Sequence, residues 1–105
     1  MVRISILYPA RAGARFDVDY YINRHVPLAL EYLGDAIEGF SVDLGSQRPH
    51  WPEPAFLAMA HYLCESLEAF EVAYRPHAQA LQGDVTNYTD IEPRYQISDV
   101  AFQTS

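Results

Sequence analysis

The apolar residues of this chain switch between the two-residue period of a β-strand and the 3.6-residue period of an α-helix, in an order that occurs twice. Residues 2–8 alternate between apolar and polar side chains, which predicts a strand. Residues 17–33 present one apolar helical face, which begins after the capping residue Asp17 and ends at Gly34. Residues 36–45 alternate again, so the first half predicts a strand, a helix and a strand.

The second half has the same order of elements. Residues 55–64 are apolar at nearly every position until His61, as expected of a central strand covered on both faces. Ser66 can cap a second helix whose apolar face reaches Leu81, and residues 83–89 read as a loop before a last strand over 90–100. The order βαββαβ predicts an α+β, ferredoxin-like fold, in which two helices cover one face of a four-stranded antiparallel sheet.

The length and composition predict one domain over residues 1–105 that pairs with a second copy of itself. A chain of 105 residues buries only about two-thirds of its extended surface, yet half of its residues are hydrophobic. The uncovered sheet face would carry polar groups such as Arg3, Ser5 and Ser41 among apolar ones, which suits a sheet packed on another sheet. We therefore expect a homodimer in which two sheets close a barrel.

The charge pattern bears on the partner of this chain. The formal net charge is −7, and every basic residue is an arginine, scattered along the chain. A basic stripe, the electrostatic footprint of proteins that bind nucleic acid or an anionic membrane, is absent from the sequence. We expect no nucleic acid and no membrane as partner, but a neutral small molecule or another protein.

Cysteine usage and hydropathy bear on the compartment. Cys64 is the only cysteine, so neither an intramolecular disulfide nor a multi-thiolate metal site is expected. The sequence has no secretory signal pattern and no apolar run long enough to span a bilayer. A cytoplasmic location is therefore predicted.

His25 is the main candidate for a functional residue, because it falls in the middle of the apolar face of the first helix. It is either a hydrogen-bonded core residue or a proton donor and acceptor in a pocket. Tyr21 and Tyr32, one turn before it and two turns after it, are its expected first partners. Pro27 follows it closely, and a proline inside a helix costs about 3 kcal/mol.

His77, beside Pro76 in the second helix, matches His25 beside Pro27 as an internal repeat, and both helices are expected to bend away from the sheet and leave space. His61 on the third strand is a further pocket candidate. The histidine spacing does not predict a metal site. A single inward histidine could ligate haem, but no feature separates such a ligand from a core residue.

Several motifs in one order resemble the EthD family of dimeric α/β-barrel proteins. The most specific is the run from Tyr20-Tyr21 to His25-Val26-Pro27-Leu28, which follows Phe16-Asp17-Val18-Asp19. The resemblance covers nearly the whole chain and also includes Ile6-Leu7-Tyr8-Pro9, Pro76-His77-Ala78, Asn87-Tyr88-Thr89-Asp90-Ile91-Glu92-Pro93 and Gln96-Ile97-Ser98.

The resemblance implies a ferredoxin-like protomer that dimerises through its sheet and holds a pocket between sheet and helices. Related dimeric barrels include cofactor-independent monooxygenases, lactone isomerases, polyketide cyclases and haem-binding enzymes. We expect a small catabolic enzyme, similar to an oxidoreductase or an isomerase, that acts on a hydrophobic, aromatic or phenolic molecule without a cofactor. His25 would be its acid and base. The expected substrate-binding residues are Tyr8, Tyr20, Tyr21, His61, His77 and Tyr88.

Two other functions stay open at this point. The chain could be an accessory protein that binds an apolar ligand for a partner oxygenase, and such a protein needs no group for proton transfer. It could also be a dimeric structural domain whose histidines belong to the core. The sequence names no substrate for any of the three.

Overall fold

A computed structural model describes residues 1–104 and shows one antiparallel sheet with a helical layer on one face. The sheet has the strand order β2-β3-β1-β4. The strands are β1 (Val2–Pro9), β2 (Gly39–Leu44), β3 (Phe56–Cys64) and β4 (Arg94–Asp99). The two longest strands, β1 and β3, form the centre. This arrangement confirms the predicted ferredoxin-like α+β fold.

The first helical run joins β1 to β2 and is not a uniform α-helix. It consists of α1 (Val18–Tyr20), a π turn (Tyr21–His25) and α2 (Val26–Leu33). Asp17 caps it as predicted, because its Oδ1 accepts a hydrogen bond of 3.0 Å from the backbone N–H of Tyr20. The run ends at Gly34, whose φ of 42° favours a residue without a side chain.

Pro27 gives a physical reason for the π turn. Within an α-helix its ring would clash with the carbonyl of Asn23, four residues earlier. In the structure the backbone N–H of Val26 donates instead to the carbonyl of Tyr21, five residues earlier, which widens the helix just before the proline. The clash that Pro27 would cause inside an α-helix is therefore avoided by a single π turn, which ends at His25.

The second helical run is longer than predicted. It contains α3 (Leu67–Tyr74), the 3₁₀ turn Arg75–His77, α4 (Ala78–Asp84) and the 3₁₀ turn Val85–Asn87. The hydroxyl of Ser66 caps α3, as predicted, by accepting a 3.1 Å hydrogen bond from the N–H of Ala69. The prediction of a loop over 83–89 was wrong, because Gly83 lies inside α4 rather than ending it.

Two strands begin three or four residues later than the sequence predicted. The chain forms a 3₁₀ turn over Gly34–Ala36, so β2 begins at Gly39 rather than at residue 36. The last strand begins at Arg94 rather than at residue 90, directly after Pro93, which has no backbone N–H to donate to a sheet.

The core lies between the sheet and the two helical runs. One cluster of buried residues lies towards α3 and contains Ile4, Leu33, Tyr62, Cys64 and Phe70. A second cluster lies around the π turn and contains Tyr8, Tyr21, Ala58, Tyr88 and Ile91. The candidate site is built on the second cluster, in which tyrosine predominates.

The opposite face of the sheet is open in this single chain. Along β3, the buried side chains Ala58, Ala60, Tyr62 and Cys64 alternate with half-buried ones on the open face. The expectation of a strand covered on both faces is thus met on one face within a protomer. Among residues 1–104, no helix is long and apolar enough to cross a membrane.

Candidate functional site

His25 is the last residue of the π turn and is buried, with 8% of its surface exposed. Its Nδ1 lies 2.9 Å from Oδ2 of Asp84, a carboxylate at the end of α4. The two side chains come from different helical runs, and both are largely buried, with 11% and 13% of their surfaces exposed. The packing of the two runs therefore assembles a histidine–carboxylate pair.

Two further donors hold the Asp84 carboxylate. Its Oδ1 accepts hydrogen bonds from the Tyr20 hydroxyl at 2.6 Å and from Nδ2 of Asn87 at 2.9 Å. Burial raises the pKa of Asp84, but the hydrogen bonds from Tyr20, Asn87 and His25 outweigh burial and hold this pKa below its usual value of 3.8. Asp84 is therefore ionised at neutral pH.

The ionised carboxylate determines where the proton of a neutral His25 lies. A carboxylate can only accept hydrogen bonds, so Nδ1 of His25 is the donor in this pair. The second ring nitrogen, Nε2, then carries a lone pair and can accept a proton from another molecule. Asp84 would stabilise the imidazolium that forms.

Aromatic rings enclose the imidazole. The ring of Tyr21 is stacked on it with centroids 5.6 Å apart, and the ring of Tyr88 is tilted against it at 4.7 Å. Tyr8 lies behind both, 5.9 Å from Tyr21 and 6.1 Å from Tyr88. Phe16 packs on Tyr21 at 5.2 Å, and because these residues stand just before the Asp17 cap and four positions after it, the contact is that of a hydrophobic staple.

The hydroxyls of Tyr8 and Tyr88 form a hydrogen bond of 2.7 Å inside this cluster. Burial raises the pKa of Tyr8 well above its usual value of 10.0, and its interactions with Tyr88 raise it further. Burial likewise raises the pKa of Tyr88, although the hydrogen bond with Tyr8 opposes the rise. Both phenols are therefore neutral, and each can donate a hydrogen bond.

A cavity of about 50 Å³ lies between the sheet and the helical runs, and His25 forms part of its wall. Such a volume holds a few water molecules. Among the described lining residues there is no lysine, arginine, aspartate or glutamate. They are Ile6, Tyr8, His25, Ala29, Leu33, Tyr62, Phe70, Tyr74, Leu81, Gln82, Val85, Tyr88, Pro93 and Tyr95.

The structure brings together five of the seven residues proposed from the sequence. Tyr8, His25 and Tyr88 line the cavity, and Tyr21 packs against all three. Tyr20 belongs to the same cluster through its hydrogen bond to Asp84.

The other two predicted residues lie apart from this cavity. His61 lies on the open face of the sheet, where its Nδ1 is 2.7 Å from the hydroxyl of Ser5. His77 stacks on Tyr32 with ring centroids 4.0 Å apart. The expectation that Tyr32 would be a first partner of His25 was therefore wrong, whereas Tyr21 does pack against His25.

Asp84 and Asn87 were missed by reasoning from the sequence. Both fall in residues 83–89, which we predicted as a loop because Gly83 reads as a break. A signal was present, because the helical spacing from Leu81 continues through Asp84 to Tyr88 on one face. The described residues contain no cluster of histidine, cysteine, aspartate and glutamate able to hold a metal ion.

The fold and site together define a small ferredoxin-like protein with a histidine–carboxylate pair beside a tyrosine-lined cavity. Residues 14–92 match the family model of the EthD domain. The chain belongs to the EthD family, as its motifs indicated. No curated protein matches it significantly.

One solved structure supports this family assignment, and two more distant ones share the fold. An EthD-like protein from Ralstonia eutropha JMP134 is 39% identical, with a TM-score of 0.91 over 99% of this chain and 95% of that one. An EthD family protein from Bacillus halodurans C-125 is 20% identical, with a TM-score of 0.72 over 94% of this chain and 97% of that one. A dimeric protein of unknown function and ferredoxin-like fold from Bacteroides fragilis NCTC 9343 is 13% identical, with a TM-score of 0.57 over 93% of this chain and 94% of that one.

Proposed function

We propose that this protein is a small enzyme that transfers a proton on an uncharged, hydrophobic, aromatic molecule, with His25 as acid and base. The observation that carries this proposal is the 2.9 Å contact between His25 Nδ1 and the Asp84 carboxylate, beside a cavity. A buried imidazole oriented by a carboxylate is the usual arrangement of a general base.

The proton moves from an O–H or C–H group of the substrate to Nε2 of His25, and the bonding electron pair stays on the substrate. The charge that develops on the imidazolium lies next to Asp84, which is already ionised. Return of the proton to another atom of the substrate completes an isomerisation. Alternatively, the anion of a phenolic substrate reduces dioxygen and is itself oxidised to a quinone: one oxygen atom forms a new C=O bond on the ring, the other leaves as water, and the substrate supplies all four electrons. The protein would then be a cofactor-independent monooxygenase.

The cavity lining supports an uncharged ligand. Side chains of tyrosine, leucine and phenylalanine offer an apolar, aromatic surface, and no described lining residue carries a formal positive charge to neutralise a carboxylate or phosphate. At about 50 Å³ the cavity is smaller than an aromatic ring requires. Binding would therefore widen it, and Tyr95, which lines the cavity and is 64% exposed, is the residue that we expect to move.

The open sheet face supports a homodimer, which is also part of the proposal. The apolar residues Leu57, Met59 and Leu63 lie on this face of β3 and are only half-buried in a single chain. A second copy packed on the face would remove them from water, which favours association. The protein from Bacteroides fragilis, which shares the fold, is described as dimeric, and this is consistent with such an arrangement.

A screen of phenols, quinones and lactones tests the proposed function. The wild type and the variant His25→Gln are each mixed with every compound, and thermal unfolding reports binding while mass spectrometry reports conversion. Ligand at a hundredfold excess over Kd should stabilise the wild type by about 2.7 kcal/mol. His77→Gln is the matched control, since it removes a half-buried histidine outside the cavity.

Conversion by the wild type and by His77→Gln, but not by a folded His25→Gln, is the expected result. Binding without conversion in all three proteins would favour the alternative of an accessory protein that holds an apolar ligand for a partner oxygenase. If no compound binds and His25→Gln is strongly destabilised, His25 is a core residue and the enzyme proposal is wrong.

A further inference from the structure

We propose that the paired hydroxyls of Tyr8 and Tyr88 bind the oxygen anion that remains on the ligand once His25 has taken its proton. This inference rests on the proposed function and deepens it, because it names the chemical class of the ligand. The ligand would be a phenol or a ketone that can enolise, and its bound form would be a phenolate or an enolate.

The geometry of the pair leaves one proton for a ligand. The two hydroxyl oxygens are 2.7 Å apart, so one hydroxyl donates to the other. The hydroxyl that accepts keeps its own proton, which the pair itself does not use. Because Tyr8 and Tyr88 both line the cavity, this proton is available to a ligand oxygen inside it.

The pair lies beside the proposed base. The ring of Tyr88 contacts the ring of His25 at a centroid distance of 4.7 Å, and both rings line the same cavity. An oxygen between them could lose its proton to Nε2 of His25 and then accept a hydrogen bond from the tyrosine pair. The base and the anion-binding group would therefore act on one atom or on two adjacent atoms of the ligand.

The electrostatics of the cavity favour this role for the hydroxyls. Burial keeps Tyr8 and Tyr88 protonated and able to donate. No lysine or arginine is among the described lining residues, so the developing anion would be met by O–H groups and by the new imidazolium. A hydrogen bond to an anionic oxygen is about twice as strong as one between neutral groups, so the pair stabilises the anion more than the neutral ligand.

The same features disfavour a ligand that arrives as an anion. A carboxylate would enter a cavity without a described cation in its wall, and the ionised Asp84 lies behind His25. Such a ligand would lose its hydration without gaining an ion pair. We therefore expect a phenol to bind and the benzoate of the same size to bind at least tenfold more weakly.

The test uses 4-nitrophenol, whose neutral and ionised forms absorb at different wavelengths. The ionisation of the bound ligand is titrated in the wild type, Tyr8→Phe and Tyr88→Phe. Each substitution should weaken binding of the phenolate about tenfold and change binding of the neutral phenol little. Tyr32→Phe is the matched control, because it removes the hydroxyl of a tyrosine that stacks on His77 and does not line the cavity.

The outcomes separate this inference from the proposed function. If 4-nitrophenol binds all four proteins with the same preference for its ionised form, the tyrosine pair has no such role, while His25 can still be the base. If neither 4-nitrophenol nor any other compound binds, the proposed function fails as well. Should neither phenylalanine variant fold, the wild type decides the question. In its NMR spectrum, the hydroxyl protons of Tyr8 and Tyr88 should move downfield when phenolate binds, and unchanged shifts would overturn the inference.

Discussion

The Nδ1 atom of His25 lies 2.9 Å from Oδ2 of Asp84, although 59 positions separate the two residues in the chain. One belongs to the first helical run and the other to the second. Around the carboxylate, Tyr20 and Asn87 supply two further hydrogen bonds, so that three side chains fix its orientation. This relationship makes Asp84 the residue whose replacement tests the site most directly.

Asp84→Asn should lower turnover of a substrate found in the screen by about 10- to 100-fold, as loss of an orienting partner commonly does. The amide can donate as well as accept, so it no longer restricts the Nδ1 proton of His25. Nitrogen-detected NMR of histidine-labelled protein should show Nδ1 protonated in the wild type and a mixture of tautomers in the variant. A wild-type spectrum with the proton on Nε2 would contradict the assignment of roles.

The stability of the protein should depend on the ionisation of Asp84. Its pKa is lower in the folded protein than its usual value of 3.8, so the folded state favours the ionised form. The stabilisation is therefore fully present above that usual value, and it is lost as the pH falls through the lower folded-state pKa.

Urea unfolding of the wild type and of Asp84→Asn, from about pH 6 down to about pH 3, measures this dependence. The advantage of the wild type should be about 2 kcal/mol at the higher pH and should shrink as the solution becomes acidic. Glu31→Gln, which changes an exposed carboxylate of α2, serves as the control. A difference in unfolding free energy that stays constant with pH would show that the pair stabilises the fold through packing and not through the charge of Asp84.

Gly83→Ala should stabilise the protein by about 0.5–1 kcal/mol. Gly83 lies inside α4, and an added Cβ would meet no described atom within 4 Å. Gly13→Ala is the opposite case, because Gly13 has a φ of 75° that alanine rarely adopts, and it should destabilise by about 1 kcal/mol. Thermal unfolding of both variants measures the difference, and a destabilised Gly83→Ala would mean that its helix does not form in solution.

Met59→Glu should convert the proposed dimer to a monomer. Met59 lies at the centre of the open sheet face, and an unpaired carboxylate buried between two sheets costs several kcal/mol. Val72→Glu is the control, since Val72 is 61% exposed on α3 in the helical layer. Sedimentation velocity reports the mass: a monomeric wild type would exclude the dimer at that concentration, and a dimeric Met59→Glu would assign the contact to another surface.

The fold could be predicted from the sequence because its signals are local and repeated. The alternation in β1, the Asp17 and Ser66 caps and the stop at Gly34 each follow from neighbouring residues, and all agree with the structure. The predicted end of the second helical run was wrong, and the reason is equally local. Gly83 lowers helix propensity, but burial of Leu81 and Tyr88 outweighs the cost.

The candidate site was predictable only in part. The position of His25 on an apolar face and the tyrosines around it follow from helical spacing and from the EthD motifs. Asp84 could not be paired with His25 from spacing, because the contact depends on how two helical runs pack against each other. His61 lies on the open face of the sheet, opposite Ser5. The sequence could not exclude it from the pocket, because strand parity alone does not say which face the helices cover.

The π turn between Tyr21 and His25 has a consequence for how this family is compared and redesigned. It fits one more residue into the path than an α-helix would, and so shifts the phase of every side chain before it relative to those after it. In a relative with one residue fewer in this stretch, the side chains that correspond to residues 17–22 would be rotated about the helix axis relative to those that correspond to residues 26–33. Helical length, more than residue identity, would then decide whether a histidine and Tyr20 can reach the same carboxylate.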